Sequence, residues 1–328
     1  MRLIQFEDTA KARRVAALFD GETTHRVLDA QSVREMALDA YAAGQDLQQF
    51  SAGLATEQTV DIAELLAAGR VLSPLDHPEP SRTVVAITGL THLGSAQSRD
   101  AMHVKLAGDD LSDSMRMFKL GLEGGKPAPG ETGAQPEWAY KGDASWLVRP
   151  EGDIELPAYG EDGGEEAEVT GLYVIAADGT VLRVGFALGN EFSDHVMERR
   201  NYLYLAHSKL RQSSFGPELY VGALPGEIAG KVSILRDGKT LWSEEFLSGE
   251  DNMAHSIANL EQHHFKYSGF RRAGDVHVYY YGASILSFAD SVSLAAGDVM
   301  VVDCPMFGAP LRNTLVAGPI ETPRIKPL

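Results

Sequence analysis

Short runs of apolar residues, many of them β-branched, recur along most of the chain and predict β-strands. The dipeptides Asp178-Gly179 and Asp237-Gly238 each separate two such runs, as expected of hairpin turns. Glycine and proline interrupt the runs often, which favours a rolled, mixed sheet over a doubly wound fold. The predicted strands in this part of the chain are 84–87, 169–175, 181–188, 232–235, 276–281 and 299–302.

The first 75 residues have a different pattern, in which short strands are followed by helices. Strands are predicted over 2–6, 15–19 and 25–28, and Ser32-Val-Arg-Glu is a capping box for a helix over 33–43. A second helix is predicted over about 59–67, and the proline-rich segment 76–81 follows as a link. We therefore predict an α+β protein with a small αβ N-terminal domain, 1–75, and a larger β-rich domain, 76–328.

Two carboxylates occupy alternate positions where one of the predicted strands begins. Residues two apart on a strand point to the same face, so Glu166 and Glu168 can direct their oxygens to one point. Glu191 follows the next predicted strand and can add a third oxygen. Such ligands suit Mg²⁺, Mn²⁺ or Ca²⁺ better than zinc. The pair alone is more often a solvated acidic loop, because Glu-x-Glu sequences are common at surfaces.

A series of short motifs surrounds this pair in a fixed order, and the order is more informative than any single motif. The motifs resemble those of the fumarylacetoacetate hydrolase superfamily, over about residues 80–305. The resemblance implies the mixed β-sheet roll of that superfamily's C-terminal domain. The motifs are Gly89-Leu-Thr-His-Leu-Gly-Ser-Ala96, Tyr140-Lys141 before Ile154-Glu-Leu-Pro157, Glu166-Ala-Glu168, Gly189-Asn-Glu-Phe-Ser-Asp194, Ser208-Lys209, Ser214-Phe-Gly-Pro-Glu-Leu219, Tyr281-Gly-Ala-Ser284 and Ala296-Gly-Asp-Val299.

The departures from the family pattern favour one branch of the superfamily. Glu191 replaces an aspartate and remains an oxygen ligand. Ser95 stands where hydrolytic members carry the histidine that activates water, and a hydroxyl is a poor general base. The sequence therefore looks most like the lyases that dehydrate 2-keto-3-deoxy sugar acids, such as 2-keto-3-deoxy-L-arabinonate or 2-keto-3-deoxy-D-xylonate, to 2-oxoglutarate semialdehyde.

The resemblance also implies roles for individual residues. A 2-keto acid can chelate a divalent metal, Mg²⁺ being favoured, and the metal then acts as a Lewis acid during loss of the C3 proton and the C4 hydroxyl. The implied metal ligands are Glu166, Glu168 and Glu191. The catalytic candidates are Lys209, Ser95 and His92, the substrate-binding candidates are Lys141, Arg99, Asp100 and Ser284, and Asp194 is expected to hold Glu191 or Lys209.

Several of these residues have a simpler explanation. Lys209 can be solvated, Ser95 can cap a helix that begins near residue 98, and His92 can hold a loop. Segment 123–137 can be a lid or a plain insertion. The remaining notable histidines lack the H-E-x-x-H spacing of zinc sites and are interpreted as structural or exposed: His195, His207, His263 and His264.

Composition limits the partners and the compartment. A net charge of −17 argues against nucleic acid, because phosphate binding requires a basic face. The single cysteine, Cys304, excludes an internal disulfide and is interpreted as an inert thiol at a strand end. No apolar run has the length of a membrane span, and the polar N-terminus does not resemble a signal peptide. We expect a cytoplasmic protein, and the resemblance implies a homodimer.

Two other functions remain open from the sequence. One is a hydrolase of an acylpyruvate or diketo acid on the same fold, with His92 or a metal-bound water as base; only Ser95 argues against it. The other is a non-catalytic protein that binds sugar acids. All three acids are present, and a protein that had lost its catalytic function would not need all of them. Their presence therefore argues against the non-catalytic alternative.

Overall fold

The strands that the structure describes lie in two sheets, and the candidate site is built on the larger one. The computed structural model describes residues 1–94, 111, 113–320 and 322–328. Its strands are β1 (Arg2–Glu7), β2 (Arg13–Leu18), β3 (His25–Leu28), β4 (Ala55–Val60), β5 (Val71–Leu72), β6 (Thr83–Ile87), β7 (Ala139–Gly142), β8 (Leu147–Val148), β9 (Asp153–Leu156), β10 (Ala167–Ile175), β11 (Val181–Asn190), β12 (Ser213–Phe215), β13 (Leu219–Tyr220), β14 (Ile228–Arg236), β15 (Lys239–Ser248), β16 (Val276–Tyr280), β17 (Val299–Asp303) and β18 (Leu311–Ala317).

The larger sheet has thirteen strands and is mixed. Its order is β4-β3-β2-β1-β13-β11-β10-β16-β6-β7, and β5, β8 and β12 pair outside this path. Most neighbours are antiparallel, whereas β16 and β6 are parallel. The smaller sheet has five strands in the order β15-β14-β17-β18-β9. The α+β class and the mixed sheet predicted from the sequence are confirmed.

The seven α-helices of the described residues are short and lie between strands. They are α1 (Val33–Ala42), α2 (Leu47–Gly53), α3 (Ile62–Ala67), α4 (Asp113–Gly124), α5 (His195–Arg200), α6 (Leu205–Lys209) and α7 (Ile257–Phe265). The predicted cap of α1 is present, because the Ser32 hydroxyl accepts a hydrogen bond from the Glu35 N–H at 3.3 Å. No helix within these described residues is long and apolar enough to cross a membrane.

The second predicted helix, 59–67, is partly wrong. Residues 55–60 form the edge strand β4, and the helix begins only at Ile62, where the Asp61 carboxylate accepts the Ala63 N–H at 2.7 Å. β4 pairs with β3, and its middle residues are exposed. Pairing with a neighbouring strand therefore overrides a local spacing that suits a helix.

The hairpin of β10 and β11 lies at the centre of the larger sheet. Every residue of β10 is buried, because one face packs in a core with Leu172 and Val174 and the other in a core with Val169 and Tyr173. Burial on both faces explains the nearly continuous apolar run in this strand. Polar groups at the start of this strand are consequently also removed from water.

The N-terminal strands continue the same sheet. β1 pairs with β2 and β13, and β13 pairs with β11, so the first 75 residues extend the sheet that carries the site. The predicted boundary between residues 75 and 76 stays a prediction. Cys304 is buried at the end of β17, as expected of an inert thiol.

Candidate metal centre and active site

Three buried glutamates meet at one end of the central hairpin. Glu166 and Glu168 flank the first residue of β10, and Glu191 follows the last residue of β11. The Glu191 N–H donates to the Glu166 carbonyl at 3.0 Å, which places the two residues opposite each other. One carboxylate oxygen from each residue lies within 4.8 Å of the others. We call Glu166, Glu168 and Glu191 the glutamate triad.

One oxygen of the glutamate triad is fully buried without a hydrogen-bond partner among the described residues. Glu168 Oε2 accepts the Gly282 N–H at 2.6 Å, but Glu168 Oε1 is buried and accepts no hydrogen bond within the described part of the chain. Burial, together with the charges of Glu191 and Glu166, raises the pKa of Glu168 well above its usual value. A divalent cation would relieve both the unpaired oxygen and the repulsion, so these residues fit a Mg²⁺ or Mn²⁺ site.

The Lys209 ammonium lies against the glutamate triad. It contacts Glu166 Oε1 and donates to Glu191 Oε2 at 3.0 Å and to Ser193 Oγ at 3.2 Å. Burial alone would lower the pKa of Lys209, but the neighbouring charges of Glu166 and Glu191 raise it well above its usual value. The sequence prediction of an ammonium at this place agrees with the geometry, and the solvated alternative does not.

Lys141 is buried on the other side of Glu191. Its ammonium contacts Glu191 Oε1 and donates to the backbone carbonyls of Phe192 at 2.7 Å and of Lys209 at 2.9 Å. Burial lowers the pKa of Lys141, and the charge of Glu191 opposes that effect. Because protein groups take up the donors of this ammonium, its contacts are those of a residue that holds Glu191 in place. Its predicted contact with substrate stays a prediction.

His195 lies in contact with the triad, although its sequence context gave no reason to place it there. Its Nε2 is 3.2 Å from Glu166 Oε1, and its Nδ1 is 3.6 Å from Asp162 Oδ2. Burial lowers the pKa of His195, but the nearby carboxylates of Asp162 and Glu166 outweigh burial and raise it to about 9. The interpretation as a structural or exposed histidine therefore missed a group at the centre.

Asp194 supports the helix that carries His195. Its Oδ1 accepts the Met197 N–H at 3.0 Å and so caps α5, while its Oδ2 accepts a hydrogen bond from Arg211 at 2.8 Å. Neither of these hydrogen bonds reaches Glu191 or Lys209. Asp194 thus acts on the site through α5.

Glu137 is a second residue that the sequence did not single out. Its carboxyl is buried against Gly89, where an added Cβ would lie 1.8 Å from Glu137 Oε1. Burial, reinforced by the charge of Glu198, raises the pKa of Glu137 to about 7, while Lys209 and a hydrogen bond with Tyr202 oppose that rise. Glu198 Oε2 lies 3.6 Å from the Lys209 ammonium, which places this group of acids beside the glutamate triad.

Two further candidates lie near the loop that follows β16. His92 is buried, and its ring nitrogens pair with Thr91 Oγ1 at 3.0 Å and Ser248 Oγ at 2.9 Å, not with the triad. Burial lowers the pKa of His92 to about 4, so its ring is neutral at neutral pH. Ser284 follows Gly282 by two residues, and its buried Oγ has no partner among the described residues.

Three candidates cannot be located. Ser95, Arg99 and Asp100 lie outside the described residues, as does the helix expected near residue 98. Their predicted roles stay predictions.

Solved structures of a dehydratase and an isomerase share the mixed-sheet fold of this chain. This confirms the fold predicted from the motifs. No family model and no curated protein matches the sequence.

Solved structures of similar shape span nearly the whole chain. The apo form of 2-keto-3-deoxy-D-arabinonate dehydratase has a TM-score of 0.71 and 17% identity, covering 98% of this chain and 100% of that one. The same enzyme complexed with magnesium and 2,5-dioxopentanoate has a TM-score of 0.68 and 17% identity, covering 97% and 99%. The 5-carboxymethyl-2-hydroxymuconate delta-isomerase from Mycobacterium smegmatis has a TM-score of 0.58 and 14% identity, covering 98% and 100%.

Proposed function

We propose that this protein is a divalent-metal-dependent lyase that dehydrates a 2-keto-3-deoxy sugar acid. The observation that carries the proposal is the unpartnered Oε1 of Glu168 within a buried glutamate triad. The similar dehydratase was solved with magnesium and 2,5-dioxopentanoate, another name for 2-oxoglutarate semialdehyde, which supports a 2-keto-3-deoxy-pentonate as the substrate.

The metal-binding residues in this proposal are the three triad glutamates, and Mg²⁺ is the preferred ion because all the donors are hard oxygens. When bound there, a divalent cation would supply Lewis acidity that increases the acidity of the C3 protons of a 2-keto acid. The Lys209 ammonium balances negative charge that develops on the substrate, and Lys141 keeps Glu191 in place.

Glu137 is the proposed proton carrier. A carboxyl with a pKa of about 7 is present in both protonation states near neutral pH, which is the range in which general acid–base catalysis is most effective. In the ionised state Glu137 takes the proton from C3. The same carboxyl then returns this proton to the departing C4 hydroxyl, so that water leaves and no net proton is gained or lost. The 5-hydroxy-3,4-unsaturated 2-keto acid that remains tautomerises to 2-oxoglutarate semialdehyde: the C5 carbinol loses one C–H and one O–H proton, and C3 and C4 gain one proton each. The unpaired Ser284 hydroxyl is available to bind a substrate hydroxyl.

The first experiment measures turnover of the two 2-keto-3-deoxy-pentonates, the L form derived from L-arabinonate and the D form that D-arabinonate and D-xylonate share, with and without Mg²⁺. We expect metal-dependent formation of 2-oxoglutarate semialdehyde from at least one of them. Acetylpyruvate is assayed in parallel, because its cleavage to pyruvate and acetate, with both deoxy acids unchanged, would replace the lyase with a hydrolase. Binding of the deoxy acids without any turnover would instead support the non-catalytic sugar-acid-binding protein.

Glu137→Gln tests the proton carrier. We expect kcat to fall by about 10²–10⁴-fold, the usual contribution of a general acid–base group, with little change in Mg²⁺ affinity. Glu131→Gln is the matched control, because Glu131 lies in the same segment and is exposed. Equal kcat values for the two variants would remove Glu137 from the mechanism.

The homodimer and the cytoplasmic location remain part of this proposal. Light scattering on the purified protein measures the first, and fractionation of the cells that make it measures the second.

A further inference from the structure

His195 is held more firmly than a residue with only a packing role requires. Its ring lies 5.1 Å from the ring of Phe288, centroid to centroid, and an added Cβ at Gly164 would come within 2.7 Å of its Nδ1. Asp162 Oδ2 faces the same nitrogen at 3.6 Å. These contacts restrict the ring to an orientation in which Nε2 points to Glu166.

The loop behind Phe288 is itself attached to the glutamate triad. Gly282, at the start of this loop, donates its N–H to Glu168 Oε2 at 2.6 Å. The carboxylate of Glu165 then accepts the N–H and hydroxyl of Ser287 at 2.9 and 2.8 Å. His195, the first residue of α5, therefore packs against a loop that also fixes another triad glutamate.

The hydrogen bonds of Glu166 are unevenly divided between its two oxygens. His195 Nε2 and the Lys209 ammonium both contact Oε1, whereas Oε2 accepts no hydrogen bond from the described residues. Glu168 shows the same division, with Oε2 held by Gly282 and Oε1 free. In both residues, donors from the protein hold one oxygen and leave the other for a cation.

We infer that His195 is a positioning residue that holds Oε1 of Glu166, so that Oε2 is presented to the metal, with the packing of the ring against Phe288 and Gly164 fixing the orientation of the imidazole. This inference rests on the proposed metal-dependent function. Groups that orient a metal ligand typically change metal affinity by about 10- to 100-fold when they are removed.

The test measures metal binding directly, with Mn²⁺ as the probe, by titration calorimetry on the folded full-length protein. We expect His195→Leu to weaken Mn²⁺ binding by about 10- to 100-fold, because Glu166 loses a donor that fixes its orientation. His195→Gln keeps an N–H donor of similar reach and should recover most of the affinity. His207→Leu is the control, because His207 is an exposed histidine on the neighbouring helix α6.

Thermal unfolding of each variant separates loss of positioning from loss of fold. If His195→Leu does not fold, His195→Asn replaces it, since its amide is too short to reach Glu166, and it should also bind Mn²⁺ weakly. Wild-type affinity in a folded His195→Leu or His195→Asn variant would overturn the inference, as would a folded Gln variant that binds as weakly as those two. Failure of the wild-type protein to bind Mn²⁺ at all would overturn the proposed function and this inference with it.

Discussion

Glu168 and Glu218 are both buried glutamates next to strands of the larger sheet, yet their surroundings are opposite. Both oxygens of Glu218 are occupied: Oε1 accepts the Ala309 N–H at 2.8 Å, and Oε2 lies 2.9 Å from both Arg2 Nε and His25 Nε2. Glu168 has one backbone donor, one oxygen without a partner among the described residues, and two other glutamates of the triad beside it.

The pKa values of the two glutamates shift in opposite directions. Burial would raise the pKa of Glu218, but the hydrogen bond and charge of His25, with Ala309 and Arg2, lower it overall. For Glu168, burial and the neighbouring acids act together, and the pKa rises. A buried carboxylate whose oxygens are all satisfied stabilises the fold, whereas one with a free oxygen among like charges is suited to a cation.

The largest predicted effect is a loss of activity in Glu168→Gln. Loss of a metal ligand removes several kcal/mol of transition-state stabilisation, so we expect kcat/KM to fall by about 10³-fold or more with saturating Mg²⁺. Glu218→Gln is the control and should keep activity within about threefold, since Glu218 contacts no residue of the triad. A similar loss of kcat/KM in both variants would contradict the assignment of different roles to the two glutamates.

Glu218→Gln should instead reduce stability. Removing one partner from a buried ion pair typically costs about 3 kcal/mol, because Arg2 and His25 lose their counter-charge. Urea unfolding monitored by circular dichroism measures this difference. Without metal, Glu168→Gln should be as stable as the wild type or more stable, since it removes a repelling charge. An unchanged urea midpoint for Glu218→Gln would show that Glu218 is not a structural anchor.

The two variants should also differ in how much Mg²⁺ stabilises them against unfolding. A ligand that binds only the folded state at 100 times its Kd stabilises by about 2.7 kcal/mol. We expect that increase, read from the unfolding midpoint with and without Mg²⁺, in the wild type and in Glu218→Gln. Glu168→Gln should show little of it, and a full shift in that variant would place the ion elsewhere.

The smallest predicted effect is a dependence on pH. The folded-state pKa of Glu218 is below its ordinary value of 4.5. Its contribution is therefore fully present above pH 4.5 and is lost as the pH falls through the lower folded value. The stability difference between wild type and Glu218→Gln should be constant near neutral pH and shrink below about pH 4.5. A stability difference that instead grows as the pH falls would contradict the lowered pKa of Glu218.

The glutamate triad could be predicted because local rules specify it. Alternation along a strand places Glu166 and Glu168 on one face, and a hairpin with its turn at Asp178-Gly179 returns Glu191 to the same end. Their burial was less certain, because an acidic loop has the same local sequence. It follows from the cores on both faces of β10.

Glu137 and His195 could not be predicted, because their environments come from distant parts of the chain. Glu137 faces Gly89 and Tyr202, from segments that local pattern does not bring together. His195 depends on the loop that carries Phe288. A lone acid or histidine in a polar segment has the same sequence signature whether it is exposed or buried.

By itself, the sequence determined the two strands of the central hairpin, the turn between them and the three carboxylates, because strand periodicity and turn chemistry act over a few residues. The tertiary structure alone decided which charged groups lost water and which partners they then met. Lys141 and Lys209 come from separate elements, and only sheet pairing and helix packing bring both ammonium groups to Glu191. Protonation and metal affinity depend on those distances and on burial, which no local pattern contains.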